Sequence, residues 1–232
     1  SSKNIFLKLG ACFKFSSILI NAPCIPNSFC SSMERPAPKI SVAFFDASIV
    51  LDLSPIEADR FGVDFHKIRT LGYPRNDILS HSEIDSHKLF PNADFQKLVY
   101  WMPTYRQHKS GSVDVSSVAM PILYNEEIAK QVNEAAKAAG VLVVVKPHFA
   151  QDVSRITAMT LSNLVFINDA FLSDNGIINY ELLGVADALL TDYSSVYYDY
   201  LLLDRPIGLC WDDYEEYKAR EGFAVDMDTV MA

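Results

Sequence analysis

The chain has 232 residues, 50% of them hydrophobic and 21% charged, which excludes a disordered protein and allows a sizeable buried core. A formal net charge of −9 excludes a general nucleic-acid surface, because no excess of Lys and Arg is present to neutralise a phosphate backbone. An anionic small substrate stays compatible with that balance if positive charge is concentrated locally. Cys12, Cys24, Cys30 and Cys210 match no common zinc or redox spacing.

In chain order, the text before about residue 40 is compositionally distinct, with Ser, Pro and Cys clustered over Pro23–Pro38. Leu9–Phe29 is apolar but interrupted by Lys14, Pro23 and Pro26, so it lacks the run of about 18 uninterrupted apolar residues that a membrane span needs. Residues 1–45 read as a lead-in or remnant segment and residues 46–232 as the main domain. Strands are expected at Ile40–Phe45 and Ala47–Leu53. A helix is expected from Pro55 to Phe61, with Ser54 as its cap and Pro55 at its first position. A short strand at Ile68–Leu71 ends in Gly72-Tyr73-Pro74-Arg75-Asn76-Asp77, and a strand at Lys97–Met102 ends in Pro103-Thr104-Tyr105-Arg106. After a polar loop, Gln107–Ser117, the apolar spacing predicts a helix over Pro121–Ala139, stopped by Gly140. Val141–Val145 reads as a buried parallel strand running into Lys146-Pro147-His148. There follow a helix over Gln151–Leu161, a strand at Leu164–Ile167, a helix over Ile178–Gly184, a strand at Ala188–Leu190, a helix over Ser195–Leu203 and a strand at Ile207–Cys210.

This alternation with short connections is the pattern of a doubly wound, mostly parallel α/β sheet of Rossmann-like type. The dinucleotide fingerprint Gly-x-Gly-x-x-Gly is absent after the first strand. In such a sheet, ligands bind outside the carboxyl ends of the strands, and the unusual polar clusters of this chain follow strands directly. Arg75 and Asn76, Thr104 and Arg106, Lys146 and His148, and Thr191, Asp192, Ser194 and Ser195 therefore become candidate ligands of one rim. Arginine matches phosphate oxygens bidentately, lysine acts as a point charge, and a histidine there can donate to phosphate or carry a proton. A nucleoside diphosphate fits that set. Each piece has a plainer reading. Arg75 with Asp77 reads as a turn pair, Arg106 as part of a solvated loop, His148 as a surface histidine, and Thr191–Ser195 as a helix cap. Glu181 reads equally as a ribose ligand and as an exposed helical carboxylate. The run Tyr197-Tyr198-Asp199-Tyr200 reads as core plus rim.

At these residues the chain resembles the CDP-glycerol glycerophosphotransferase family, the teichoic acid polymerase-like enzymes of bacteria. The matching stretches are LGYPRNDIL at Leu71–Leu79, MPTYR at Met102–Arg106, VVKPHF at Val144–Phe149 and ADALLTDYSSVYYDYLLLDRPI at Ala186–Ile207. The stretch DDYEEYKAREG at Asp212–Gly222 is similar to a Tyr-x-x-x-Arg-Gly element of the family, with Glu221 inserted. The resemblance implies the carboxyl-terminal half of a GT-B-type glycosyltransferase fold. It implies transfer of glycerol phosphate from CDP-glycerol to a lipid-linked glycerol-phosphate acceptor at the inner face of the membrane, with CMP leaving and no bound metal or other cofactor. It places His148 on the donor pyrophosphate as the catalytic candidate, Thr191, Ser194 and Ser195 on phosphate, and Arg75 and Arg106 along the cleft. The family's Trp-His-Gly motif is a departure: the tryptophans here are Trp101 and Trp211, and neither precedes His-Gly. The expectation is thus a donor-binding half whose turnover needs a base from elsewhere. A nucleotide-sugar glycosyltransferase and a non-catalytic nucleotide-binding module are the alternatives.

Overall fold

A computed structural model describes residues 40–43, 58–59, 62–67, 73–104, 120, 122–123, 125–148, 151, 153–210 and 214–220. The strands expected at Ala47–Leu53 and Ile68–Leu71, the loop Gln107–Ser117, most of the helix expected at Pro55–Phe61, and Arg106 lie outside the described residues.

Six strands form one sheet: β1 (Ile40–Ala43), β2 (Lys97–Met102), β3 (Val141–Val145), β4 (Leu164–Phe166), β5 (Ala188–Thr191) and β6 (Ile207–Cys210). Their order is β1-β6-β5-β2-β3-β4. Strands β2 to β6 are mutually parallel, and β1 joins β6 antiparallel, Ile40 opposite Cys210 and Ala43 opposite Ile207. Ile40–Ala43 thus serves the sheet as an edge strand, although it falls within the segment read as a lead-in. From β2 the chain steps outward to β3 and β4, returns to the other side of β2 for β5, and steps on to β6. The direction reverses between β2 and β5, which is where a doubly wound sheet opens its ligand crevice.

The strands are apolar throughout because both faces of the sheet are covered. Alternate residues of β2 face opposite sides. Leu98 and Tyr100 join Leu142, Val144, Leu189 and Leu209 in one buried cluster, while Val99 and Trp101 join Val143, Val145, Leu190 and Cys210 in another. The first face is covered by α1 (Pro74–Ser80), α5 (Asp169–Asp174), α6 (Asn179–Val185) and α7 (Val196–Tyr200), through Leu79, Leu172, Leu182, Leu183, Val196 and Tyr200. The second is covered by α3 (Glu126–Ala138) and α4 (Ser154–Thr157), through Ala129, Val132, Ala136 and Ile156. Further helices among the described residues are α2 (Ser86–Leu89) and α8 (Tyr214–Arg220).

Helix α3 begins five residues later than the apolar spacing predicts. Asn125 caps it, its side chain accepting from the Ile128 N–H at 3.0 Å, and Asn is a stronger start signal than Pro121. Gly140 ends it at φ 66°, as expected of the glycine past a helix end. The helix expected over Gln151–Leu161 shrinks to α4. Leu201–Leu203 continues α7 as a 3-10 turn, closed by Asp204 in the left-handed region.

Candidate functional site

All five parallel strands end at one edge, so the segments after β2, β3, β4 and β5 share that rim. At its centre the two lips of the reversal point are tied together. Thr191, at the end of β5, is fully buried and its hydroxyl donates to the Met102 carbonyl at 2.8 Å. Asp192 is 1% exposed. Its carboxylate accepts from the Thr104 N–H at 2.9 and 3.0 Å and from the Thr104 hydroxyl at 2.5 Å. Three residues read as candidate ligands of the rim, Thr104, Thr191 and Asp192, thus hold the loop after β2 against the loop after β5.

Beyond this clasp the loop runs Tyr193, Ser194, Ser195. Ser194 is half-buried and Ser195 exposed, and neither hydroxyl has a hydrogen-bond partner among the described residues. Tyr193 stacks on Tyr217 with ring centroids 4.0 Å apart, so α8 backs the serine turn. On the other side of β2, Lys146 follows β3, its N–H bonded to the Trp101 carbonyl. The Lys146 ammonium pairs with Asp169 at 2.9 Å, and it is the less exposed partner, 17% against 77%. Asp169 opens α5, which the spacing does not predict. His148 is exposed two residues further on. Strands β3 and β5 flank β2, so their ends stand about 10 Å apart, two strand spacings.

The Tyr73–Asp77 stretch is not a turn. Pro74 occupies the first helical position of α1 and Arg75 the next. The partner of Arg75 is Asp199 rather than Asp77, through Nε at 3.0 Å and Nη2 at 2.9 Å. The Tyr180 hydroxyl donates to the same Asp199 oxygen at 2.5 Å. Burial works against the charge on Arg75, but Asp199 and the neighbouring tyrosines outweigh it and raise its pKa. Burial, then Asp199, pushes the Tyr180 hydroxyl well above the ordinary tyrosine range. Asn76 lies beside Arg75, its Oδ1 buried and without a partner among the described residues. The Glu181 carboxylate accepts from the Ile178 N–H at 2.9 Å and so caps α6, the helix that carries it.

The rim therefore gathers Thr104, Lys146, His148, Asp192, Ser194 and Ser195. Arg75 joins it through Asp199, four residues after Ser195. The expected crescent of positive charge is modified, since both of its described strong cations, Arg75 and Lys146, carry a carboxylate partner. Sequence reasoning missed Asp199, Tyr180 and Asp169. For Asp199 a signal existed: an acid inside an aromatic, core-forming helix must be buried, and a buried charge needs a partner. The Tyr197–Tyr200 run is otherwise as read, with Tyr197 and Tyr200 buried. Among the described residues, no cluster of three or more His, Cys, Asp or Glu side chains could hold a metal ion, and no helix is long and apolar enough to cross a membrane.

The chain is 27% identical over 223 residues to the teichoic acid ribitol-phosphate primase of Bacillus spizizenii, covering 92% of this chain and 52% of that protein. It is 29% identical over 177 residues to the teichoic acid glycerol-phosphate transferase of Staphylococcus aureus, covering 72% of this chain and 41% of that protein. It thus spans about half or less of the length of these relatives. Its fold matches that of a variant of the wall teichoic acid polymerase TagF, with TM-score 0.51 and 23% identity over 75% of this chain and 42% of that one. The family model for CDP-glycerol:poly(glycerophosphate) glycerophosphotransferase matches residues 51–231. On the strength of that match over most of its length, the chain belongs to the CDP-glycerol:poly(glycerophosphate) glycerophosphotransferase family.

Proposed function

We propose that this chain is the donor-binding part of a transferase that moves glycerol phosphate from CDP-glycerol to a glycerol-phosphate or lipid-linked teichoic-acid-type acceptor, releasing CMP. The observation that carries the reading is the clasp of Thr104 and Asp192 at the strand-order reversal, with Ser194 and Ser195 on one side and Lys146 and His148 on the other. In the reaction, an acceptor hydroxyl oxygen attacks the β-phosphorus of the donor. The bond from that phosphorus to the bridging oxygen breaks, and CMP leaves with the bridging oxygen. The acceptor proton passes to a general base, which the family resemblance assigns to a segment other than those matched here. Work of this kind rests on positioning and on donors aimed at developing charge. Ser194 and Ser195 donate to the β-phosphate, and His148 donates to the pyrophosphate oxygens as charge builds on CMP. A lipid-linked acceptor would set the reaction at the inner membrane face, with the protein attached peripherally.

Calorimetric titration of the chain with CDP-glycerol is the test. Saturable heat is expected, weakened at least tenfold by His148→Ala or Ser194→Ala with the melting temperature unchanged, since each removes hydrogen bonds to a charged ligand. Absence of heat at millimolar donor would sink the reading. The ribitol-phosphate relative supports a second donor, CDP-ribitol, and the same titration with both compounds decides between the two polyols.

A further inference from the structure

The Asp199 carboxylate sits in a helix segment whose other residues are Val196 and three tyrosines, with Val196, Tyr197 and Tyr200 buried, and its side chain is only 4% exposed. One of its oxygens, Oδ2, receives Arg75 Nε, Arg75 Nη2 and the Tyr180 hydroxyl. Arginine has five N–H donors fixed in a plane. Asp199 takes the Nε edge of that fork. The Nη1 protons and the second Nη2 proton lie on the far edge, where no hydrogen bond is made among the described residues, and the Arg75 side chain is 41% exposed. The guanidinium lies over the Tyr73 ring at 4.1 Å and near the Tyr180 ring at 5.6 Å, so its plane is held as well as its edge. Ser195 has right-handed helical angles, φ −62° and ψ −15°, and Asp199 follows it by one turn. Residues four apart on a helix stand about 5–6 Å from each other at Cβ. The Asp199 bond therefore draws Arg75, from a helix more than a hundred residues earlier, to the flank of the serine turn.

We propose that Asp199 and Tyr180 are positioning residues that clamp Arg75 with its unused edge toward a phosphate of the nucleoside diphosphate donor. This rests on the donor-site reading above and adds the element that supplies its fixed positive charge. The far edge offers two parallel N–H groups to two phosphate oxygens, a geometry that lysine cannot reproduce. Tyr180 holds the shared oxygen from a second direction, so the carboxylate cannot rotate and take the guanidinium with it.

The experiment titrates the whole chain with CDP-glycerol and with inorganic pyrophosphate, using the wild type, Arg75→Lys, Tyr180→Phe and the double variant, with thermal unfolding of each. Arg75→Lys keeps a cation beside Asp199, so the melting temperature should barely move, while both ligands bind about tenfold more weakly for loss of the bidentate fork. Tyr180→Phe should weaken binding about threefold with arginine present and have no further effect once Arg75→Lys has removed the fork, a non-additivity that a merely structural tyrosine would not produce. If Arg75→Lys binds as tightly as the wild type, or the Tyr180 effect is undiminished in the double variant, the clamp is wrong and the donor site stands. If the wild type takes up neither ligand, the donor-site reading fails and the clamp fails with it.

Discussion

Asp192 and Thr104 come from loops 88 residues apart in sequence, and they hold each other through the Asp192 carboxylate and both the N–H and hydroxyl of Thr104. Removing the acceptor leaves two buried or half-buried donors without partners, so Asp192→Ala should lower unfolding stability by about 1–3 kcal/mol. Thr104→Val removes the hydroxyl alone and should cost about 1 kcal/mol. Denaturant titration of the two single variants and the double variant should show that the losses do not add, because both remove one contact. Additive losses would mean that the pair is not coupled. At this scale the sequence discloses residue type and strand-end position, but not which polar group faces which. TDYSS announces a polar turn. That its Thr and Asp are buried as ties, while its serines are left toward solvent, follows from strand pairing between β2 and β5, which no local pattern encodes.

Elements show the same division. The strands β2, β3 and β6 are readable to the residue because strands covered on both faces are continuous apolar runs. Short helices such as α2 and α5 bury little and leave no period to read. Helix α1 is hidden by its proline, which suggests a turn as strongly as a helix start. Its place is set by a close approach to α6. A Cβ on Gly184 would lie 2.4 Å from the Leu79 carbonyl oxygen and 2.9 Å from the Ser82 Cβ. Alanine is better than glycine inside a helix by about 0.5–1 kcal/mol, but the contact here is backbone that cannot step aside. Gly184→Ala is therefore expected to destabilise the chain by about 1–3 kcal/mol net, read from its denaturation midpoint. It should also weaken donor binding, because α1 carries Arg75. A neutral or stabilising alanine would show that α1 and α6 are not packed this closely. At this same C-terminal end of α6, Arg205 donates to the Gly184 and Ala186 carbonyls at 2.7 Å each, and the Tyr200 hydroxyl also donates to Ala186.

At the scale of the whole molecule, five tyrosines among the described residues ionise less readily than in water. Tyr100, Tyr180, Tyr197, Tyr198 and Tyr200 all have raised pKa values, with burial as the leading cause for each. A group whose folded pKa lies above its unfolded value of about 10 stabilises the fold fully below that pH and loses the contribution as pH rises past it. The fold should therefore weaken above about pH 10, and tyrosinate absorbance should rise in two stages, exposed rings first and the buried set together with unfolding. A single smooth titration of all tyrosines in the folded chain would contradict the burial described. The class of the molecule, a Rossmann-like α/β sheet, is legible from the alternation of elements. The strand order is not, because adjacency of β2 with β5 depends on contacts between residues nearly ninety positions apart. The antiparallel β1 has a consequence of its own. Its four residues occupy the hydrogen-bonding border of β6, which is buried and apolar along its length. Any shortened version starting after Ala43 would uncover that border as a template for other chains, and would self-associate while its ligand crevice, two strands away, stayed intact.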